Sequence, residues 1–368
     1  MKIPLSKVDI REEDLQRVQE VLRSGWIMQG PRVEQFEKAV ADFCQAPHAV
    51  AVSSGTTALH LALEAAGVRP GDEVIVPSFS FVASANAVCH CGAKPVFCDV
   101  DPATFNMTPS TVEPLITSAT RAILVVHQFG LPCDLTGFAA LAEKKGVALV
   151  EDAACAIGSR YREAPVGNCA WSRAACLSFH PRKIVSTGEG GMVLTRDAAM
   201  AGRMRLMRNH GMTKNPTPQA FVEVAYNYRL TDMQAALGIG QMERLPATIA
   251  ERRRLARCYE KQLGNDSRFI LPCEPAGCAA NHQSYMIRFR KDDGGRDRAA
   301  AVLAEKGVAT RPSLPPIHLQ VCYTRNEKPV SLPQTEHLAA NGLILPFYNG
   351  LSDDEAAFVC ATLKEAAD

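Results

Sequence analysis

Val147-Ala148-Leu149-Val150-Glu151-Asp152 is a short apolar run that ends in two carboxylates. A segment of helix length and character, Gly137 to Lys145, precedes it. Similar apolar runs alternate with helix-like segments up to about residue 245. They are Ala49–Val52, Glu73–Val76, Lys94–Val100 and Ala122–Val126. Short, wholly apolar strands separated by helices are typical of a mostly parallel sheet that helices cover on both faces. The sequence therefore predicts an α/β fold with ligands bound beyond the carboxyl ends of the strands.

The pattern becomes mainly helical from Leu230. Thr231-Asp232 is a capping signal for a helix from Met233 to Leu245. Pro246 suits the first turn of a second helix, which we expect to run to Leu263. The remaining elements are expected to be a strand at Tyr285–Phe289 and helices at Arg298–Lys306 and Asp353–Ala366.

The length of 368 residues exceeds the roughly 250–300 residues at which a single hydrophobic core stops growing. We therefore expect a large domain over residues 1–245, whose first 45 residues form a helical arm. A smaller α+β domain is expected over residues 246–368. Two prolines among polar residues in Thr213–Pro218 indicate an exposed loop.

The charge balance excludes several classes of partner. The chain has 40 Lys and Arg against 39 Asp and Glu, and proteins that bind nucleic acid or anionic membranes usually carry a basic excess. Its apolar runs fall short of the roughly 18 residues needed to cross a bilayer, and the N-terminus lacks the long apolar stretch of a signal peptide. We expect a cytoplasmic protein that binds neither nucleic acid nor membrane.

Thirteen cysteines are present, an odd number in a chain too long for a disulfide scaffold. Cys89 and Cys91 flank His90, but no second pair stands at zinc-finger spacing, so no metal site is predicted. Most of the cysteines are expected to be small buried hydrophobes, as in a reducing cytoplasm.

The segment Ser54-Gly55-Thr56-Thr57 lies between a strand end and a helix start. Free backbone N–H groups and the helix dipole favour an anion there, and Gly55 lets the backbone approach closely. Ser and Thr are also preferred at an ordinary N-cap. The segment by itself leaves both a phosphate site and a plain cap open.

Glu151-Asp152 needs a partner, because burying an unpaired carboxylate is costly. The pair could cap the next helix, bind a metal or contact a cationic ring nitrogen, although no cluster of metal ligands stands nearby. Lys183 follows Asp152 by 31 residues, on a loop before Gly188-Glu189-Gly190-Gly191. A surface lysine is the ordinary interpretation, but phosphate turn, strand-end Asp and loop Lys follow the order seen in fold-type-I pyridoxal-phosphate enzymes.

With these residues in place, the chain resembles the DegT/DnrJ-type family of sugar-nucleotide aminotransferases over nearly its whole length. The matching stretches are Ser24-Gly25-Trp26 with Gly30-Pro31, Ser54–Leu59, Val76–Ala83, Val100-Asp101, Glu151–Ala154, Ser178-Phe179-His180 with Lys183, Gly188–Gly191, Asn209-His210-Gly211 and Tyr226–Asp232. In this order and spacing they are specific. The resemblance implies a fold-type-I enzyme that uses pyridoxal 5′-phosphate.

Residue roles follow from the resemblance. Lys183 would form the internal aldimine and carry protons, and Asp152 would pair with the pyridine nitrogen and keep the ring an electron sink. Phe81 matches the aromatic residue that stacks on the ring. Phosphate contacts match Ser54, Gly55, Thr56 and Ser178, with Asn227 reaching the phosphate from the neighbouring subunit. Substrate contacts match Trp26, Arg229 and His318.

Two positions depart from the family pattern. Cys155 stands where Gln or His is common, near the phenolic oxygen of the cofactor, and a thiol is a weak donor. Ile184 stands where Asn commonly follows the lysine. Lys183 itself favours transamination, since family members that act as sugar dehydratases carry His there.

The sequence thus predicts a homodimeric, cytoplasmic pyridoxal-phosphate-dependent aminotransferase. It would transfer an amino group, with glutamate as the expected donor, to a nucleotide-linked keto-sugar by ping-pong chemistry through Lys183. Two alternatives stay open at this point. One is an aminotransferase for a non-nucleotide cyclic ketone, and the other is a non-catalytic regulatory protein that binds pyridoxal phosphate.

Overall fold

A computed structural model describes residues 2–213, 220–325 and 330–367. The helices are α1 (Glu12–Ser24), α2 (Pro31–Cys44), α3 (Gly55–Ala65), α4 (Ala83–His90), α5 (Pro109–Val112), α6 (Leu135–Lys145), α7 (Ala198–Met207), α8 (Asp232–Leu263), α9 (Gly295–Glu305), α10 (Val321–Thr324), α11 (Pro333–Asn341) and α12 (Asp353–Ala366). The strands are β1 (His48–Val52), β2 (Glu73–Pro77), β3 (Lys94–Cys98), β4 (Thr120–Val126), β5 (Ala148–Asp152), β6 (Arg160–Tyr161), β7 (Ala164–Pro165), β8 (Ala174–Ser178), β9 (Gly191–Thr195), β10 (Phe269–Ile270), β11 (Cys278–Ala279), β12 (Tyr285–Phe289), β13 (Arg311–Pro312) and β14 (Gly342–Leu345). The predicted loop Thr213–Pro218 lies outside the described residues, apart from Thr213.

A seven-stranded sheet with the order β1-β9-β8-β5-β4-β2-β3 forms the centre of the fold. Strand β9 runs antiparallel to both of its neighbours, and the other pairings are parallel. The predicted α/β fold with a mostly parallel sheet is confirmed. The carboxyl ends of the parallel strands therefore meet at one edge of this sheet.

Both faces of the central sheet are largely buried, which explains why most positions of its strands are apolar. In β1, Val50 and Val52 pack into a cluster with α3 and α7. Ala49 and Ala51 point to the opposite face and pack with α2 and α8. Successive side chains of a strand alternate between faces, so both sets of side chains are buried when helices cover both sides, and burial favours apolar residues.

The C-terminal part of the chain builds a four-stranded antiparallel sheet with the order β10-β12-β14-β13. Its core joins Tyr259 of α8, Ile287 of β12, Leu303 of α9, Leu345 of β14 and Leu363 of α12. The predicted strand at Tyr285–Phe289 is confirmed, and the two later helices begin within a few residues of their predicted starts. A small sheet with the order β11-β6-β7 pairs β11 of the C-terminal part with the segment between β5 and β8.

The expectation of two helices that meet at Pro246 is wrong, because α8 runs without a break through Pro246. An interior proline removes a hydrogen bond and costs about 3 kcal/mol or more. Packing outweighs this cost, since Leu245 and Ile249, on either side of the proline turn, are buried in the same cluster. The predicted domain boundary at residue 246 thus falls inside one helix.

The N-terminal segment contacts distant parts of the fold. Ile3 forms a parallel bridge with Val308 and is buried in the core around the four-stranded sheet. Helices α1 and α2 pack along α8. Within the three described ranges, no helix combines the length and the apolar character needed to span a bilayer.

Candidate active site

The carboxyl edge of the central sheet opens into a cavity of about 570 Å³. Loops that follow parallel strands form one side of it, and residues of β13 and β14 contribute to the other. The sequence-predicted residues in its lining are Ser54, Gly55, Thr56, Phe81, Asp152, Cys155, Ser178 and Lys183. Residues that are far apart in the chain thus meet at one place, as expected for the carboxyl ends of parallel strands.

The start of α3 forms a cradle for an anion. The Oγ of Ser54 accepts a hydrogen bond from the N–H of Thr57 at 3.1 Å, which caps the helix. The N–H groups of Gly55 and Thr56 have no acceptor within the helix, as at every helix start. A Cβ on Gly55 would lie 2.8 Å from the Cβ of Ser178, so only glycine fits between the two elements. The Ser54 cap therefore leaves the N–H groups of Gly55 and Thr56 available to bind an anion.

Asp152 is buried at the end of β5 with its carboxylate held in place. One carboxylate oxygen accepts a hydrogen bond from the Ser84 hydroxyl at 2.7 Å, and the other accepts from the Ala154 N–H at 3.1 Å. Because Ser84 gives its proton to Asp152, its oxygen accepts from the Ser80 hydroxyl, 2.9 Å away. This chain of hydroxyls orients the carboxylate toward the cavity that Asp152 and Ser80 line.

Glu151 belongs to a second buried network beside the cavity. The N–H of Cys133 donates to Nδ1 of His127 at 3.0 Å, which places the imidazole proton on Nε2. Nε2 then donates to Glu151 at 2.9 Å, and the Ser172 hydroxyl donates to the other carboxylate oxygen. Glu151 does not line the cavity, so of the two neighbouring carboxylates only Asp152 faces it.

Lys183 lies on the loop after β8, where its N–H donates to the His180 carbonyl at 2.8 Å. Its side-chain Nζ is within hydrogen-bond distance of the Cys155 sulfur, at 3.0 Å. The unusual residue of this chain thus contacts the amine at the centre of the site. The carbonyl of Cys155 is itself held by Asn281, whose Nδ2 donates to it at 2.8 Å.

Phe81 is 62% exposed, whereas Phe79 two residues earlier is fully buried. The exposed ring lies on the cavity lining, so Phe81 is not a core aromatic. Phe129, on another wall, has a φ of 55° in the left-handed region. Non-glycine residues held there cost about 1–3 kcal/mol and cluster at functional sites. The N–H of Gln283 donates to the Phe129 carbonyl at 3.0 Å and helps to hold this conformation.

Four predicted site residues lie outside this cavity of the single chain. Trp26 is 54% exposed and lines a separate depression beside Asp232. Asn227 forms an antiparallel bridge with Asn209, and the Arg229 guanidinium donates to the Asn209 side chain at 2.7 Å. The chain alone does not bring these residues to Lys183.

His318 is the fourth, and it is 2% exposed. Its Nδ1 lies 2.6 Å from the Ser78 hydroxyl, and its N–H donates to the same oxygen at 3.1 Å. Its Nε2 lies 3.3 Å from Glu336. In this arrangement His318 joins the β2 loop to the C-terminal region instead of facing the cavity.

Several cavity residues were missed by sequence reasoning. Arg182, Glu189, Gln283 and Arg311 all line the cavity. Arg182 stands directly before Lys183, and this adjacency was a usable signal. Gln283 and Arg311 come from the C-terminal region and have no motif around them that marks a function.

The geometry of the cavity agrees with the family to which the chain is similar. The profile of the DegT/DnrJ/EryC1/StrS aminotransferase family matches residues 8–364. The chain belongs to this family. The resemblance inferred from the motifs is confirmed, and so are the fold-type-I architecture and the aminotransferase activity that it implied.

Similar proteins cover the aminotransferase from end to end. GDP-perosamine synthase of Caulobacter vibrioides is 38% identical over 372 residues, which is 99% of this chain and 98% of that protein. The structure of DesV from S. venezuelae is 34% identical with a TM-score of 0.93, over 100% of this chain and 99% of the other. A sugar aminotransferase of Streptococcus pneumoniae, Spr1654 in its PLP form, is 29% identical with a TM-score of 0.95 and covers the same shares.

The enzyme is a pyridoxal-phosphate-dependent aminotransferase. The residues present fit this cofactor, because the cavity combines an anion cradle at a helix start, a lysine amine and an oriented carboxylate. The close approach of Gly55 to Ser178 is the part of the cradle that a larger residue would fill. The alternative of a non-catalytic regulatory protein is not favoured by any feature of this site.

Proposed function

We propose that this aminotransferase moves an amino group from an amino-acid donor, expected to be glutamate, to the ketone of a nucleotide-linked sugar. The observation that carries the proposal is a single cavity lined by Lys183, Asp152 and Phe81 together with the anion cradle at the start of α3. The similarity to GDP-perosamine synthase over nearly the whole chain supports a sugar nucleotide as the acceptor.

Lys183 and Asp152 would carry the chemistry. Pyridoxal 5′-phosphate, when bound, carries the amino group between donor and acceptor and withdraws electrons through its ring. Nζ of Lys183 would hold the cofactor covalently, and as a free amine it would carry a proton between the substrate carbon and the cofactor. The carboxylate of Asp152, oriented by Ser84 and the Ala154 N–H, would hold a proton at the pyridine nitrogen.

Other residues would bind and orient. The N–H groups of Gly55 and Thr56 and the hydroxyls of Ser54 and Ser178 would hold the phosphate. The exposed ring of Phe81 would lie against one face of the cofactor ring. Cys155 would position the free Lys183 amine through the contact of 3.0 Å, a role for which a weak thiol acceptor suffices.

A homodimer with shared active sites would bring in the residues that the single chain leaves outside the cavity. Asn227, Arg229 and Trp26 lie away from their own cavity, and Trp26 is exposed. We assign Asn227 to the cofactor phosphate of the other subunit and the other two residues to the substrate. His318 is buried against Ser78, so it would position the loop after β2 without contacting the substrate itself.

A cytoplasmic location accords with the thiols. All 13 cysteines lie in the described ranges and are free, and seven of them are buried. Burial raises the pKa of the Cys44 and Cys91 thiols to about 12, so these act as inert packing groups.

The test is transfer from glutamate to a panel of nucleotide-linked keto-sugars, measured as formation of the amino sugar by mass spectrometry. We expect Lys183→Ala to lower the rate at least about 100-fold, because a positioned proton carrier is lost. Lys38→Ala, at an exposed lysine of α2, is the matched control and should keep full activity.

Other outcomes would favour the alternatives. Transfer to cyclic ketones without a nucleotide, in preference to all nucleotide sugars, would replace the acceptor class. Wild-type protein that binds pyridoxal phosphate but accepts an amine from no amino acid would overturn the proposal.

A further inference from the structure

Two arginines that line the cavity have no partner of opposite charge among the described residues. Arg182 stands beside Lys183, and Arg311 lies on β13 of the four-stranded sheet. Neither guanidinium forms an ion pair or a side-chain hydrogen bond with any residue of the described ranges. Other arginines of the fold are paired, as Arg208 is with Glu37 and Arg244 is with Asp14.

The backbone of Arg182 is nevertheless fixed on both sides. Its N–H donates to Nδ1 of His180 at 3.2 Å, and its carbonyl accepts from Nε2 of Gln283 at 2.7 Å. Gln283 is in turn anchored by the Asn281 side chain, which accepts from the Gln283 N–H at 2.9 Å. The guanidinium therefore extends from a backbone held on both sides, and no described residue pairs with its charged end.

The charges around the pair leave room for an anion. Burial and the nearby charge of Arg311 lower the pKa of the Arg182 guanidinium. The charged residues on the cavity lining are three cations, Arg182, Lys183 and Arg311, and two carboxylates, Asp152 and Glu189. Asp152 is engaged by its own hydrogen bonds, and neither carboxylate lies within ion-pair distance of the two arginines. Two like charges held close together are stabilised when an anion binds between them.

We propose that Arg182 and Arg311 form an oxyanion subsite of the active-site cavity, which binds an anionic group of the substrate. Guanidinium groups suit carboxylates and phosphates because they donate two parallel hydrogen bonds. The group bound is either a carboxylate of the amino donor or the diphosphate of the sugar nucleotide. This inference rests on the proposed function, since both sources are substrates of that reaction.

The subsite is distinct from the cofactor cradle. The cradle is built by the start of α3 and the end of β8, around Gly55 and Ser178. Arg311 comes from the four-stranded sheet, which contributes the opposite part of the lining through β13 and β14. The cofactor phosphate therefore has its own donors, and the arginine pair is left for a second anion.

The experiment compares wild-type enzyme with Arg182→Gln and Arg311→Gln in the two half-reactions, each followed by the absorbance of the bound cofactor. We expect KM to rise about tenfold or more in one half-reaction, because each arginine supplies charge-assisted hydrogen bonds. A rise for glutamate assigns the subsite to the donor carboxylate, and a rise for the nucleotide sugar assigns it to the diphosphate. Arg→Lys at either position should recover only part of the loss. Arg290→Gln, on the surface, is the matched control.

A binding measurement separates this inference from the proposed function. In wild-type enzyme with cofactor bound, glutarate or GDP should raise the unfolding temperature, and the gain should shrink in both Arg→Gln variants. Unchanged KM values and an unchanged gain would overturn the subsite even in an active enzyme. Weaker binding of pyridoxal phosphate with unchanged KM values would also overturn it, because the pair would then serve the cofactor. If the wild type transfers no amino group, the proposed function fails. The change in unfolding temperature still shows whether the arginine pair binds an anion.

Discussion

Asp152 shows how the site is built residue by residue. Its position at the end of β5 follows from the apolar run before it, but its orientation depends on the Ser84 hydroxyl and the Ala154 N–H. Ser84 lies on α4, in a different segment of the chain. A strand-end carboxylate becomes a defined proton holder only when such neighbours restrict its rotation.

Gly55 is the residue on which the phosphate cradle depends. In Gly55→Ala, the new Cβ would lie 2.8 Å from the Cβ of Ser178, so α3 and β8 must separate. We expect the dissociation constant of pyridoxal phosphate to rise about tenfold or more, because the N–H donors move from their acceptor. Titration of cofactor-free protein, followed by absorbance, measures this.

The control for Gly55→Ala is Gly202→Ala on α7, where a Cβ meets no atom within 4 Å. This change should leave cofactor binding as it is and stabilise the helix by about 0.5–1 kcal/mol. Equal cofactor affinity in Gly55→Ala and the wild type would show that the cradle does not hold the phosphate.

At the scale of elements, α1 and α8 are joined by a buried ion pair. Nη1 of Arg244 lies 2.9 Å from a carboxylate oxygen of Asp14, which is fully buried. Burial by itself would raise the pKa of Asp14, but the hydrogen bonds from Arg244 and the Arg11 N–H and the charge of Arg244 lower it below its ordinary value of 3.8. The ionised Asp14 therefore stabilises the folded state.

Arg244→Leu should lower the free energy of unfolding by about 3 kcal/mol near neutral pH, because it leaves a buried carboxylate without its main partner. Since the pKa of Asp14 is lowered on folding, its contribution is present above pH 3.8 and is lost as the pH falls further. The difference between variant and wild type should narrow in acid. Chemical denaturation between neutral pH and pH 3 measures it.

Lys38→Met is the control for this pair, because Lys38 and Asp42 form an exposed ion pair on α2. Loss of this exposed ion pair should lower the free energy of unfolding by at most about 0.5 kcal/mol at any pH. If Arg244→Leu lowered the free energy of unfolding by no more than this, the Arg244–Asp14 pair would not hold α1 against α8.

At the scale of the whole molecule, the proposed dimer makes a prediction about shared sites. Asn227→Ala and Lys183→Ala should each be nearly inactive. If Asn227 serves the other subunit, a mixed dimer holds one site with both defects and one intact site. Equal mixing with subunit exchange should then restore about a quarter of the wild-type activity.

Activity after mixing and size by light scattering are the two measurements. Mixing Lys183→Ala with itself is the control and should restore nothing. Recovery at the background level in confirmed mixed dimers would place Asn227 in the site of its own chain.

The division of the chain into residues 1–245 and 246–368 stays a prediction at this scale, and α8 crosses its boundary.

The fold was predictable because burial on both faces leaves a clear trace in composition. Strands β1, β2, β4 and β5 are apolar at nearly every position, and helices separate them. The continuity of α8 through Pro246 was not predictable in the same way. The local cost of proline favours a boundary, and only the burial of Leu245 and Ile249 in one cluster shows that the helix continues.

Local sequence patterns were enough to predict the sheet and the residues at or after its strand ends, including Ser54, Asp152 and Lys183, because strand ends and turns are local features. Only the packing of distant segments shows that Cys155 touches the Lys183 amine, that His318 is buried against Ser78, and that Arg311 and Arg182 line the same cavity. These contacts join segments that share no spacing rule. Their geometry is set by how the central sheet and the C-terminal elements pack, which no local pattern contains.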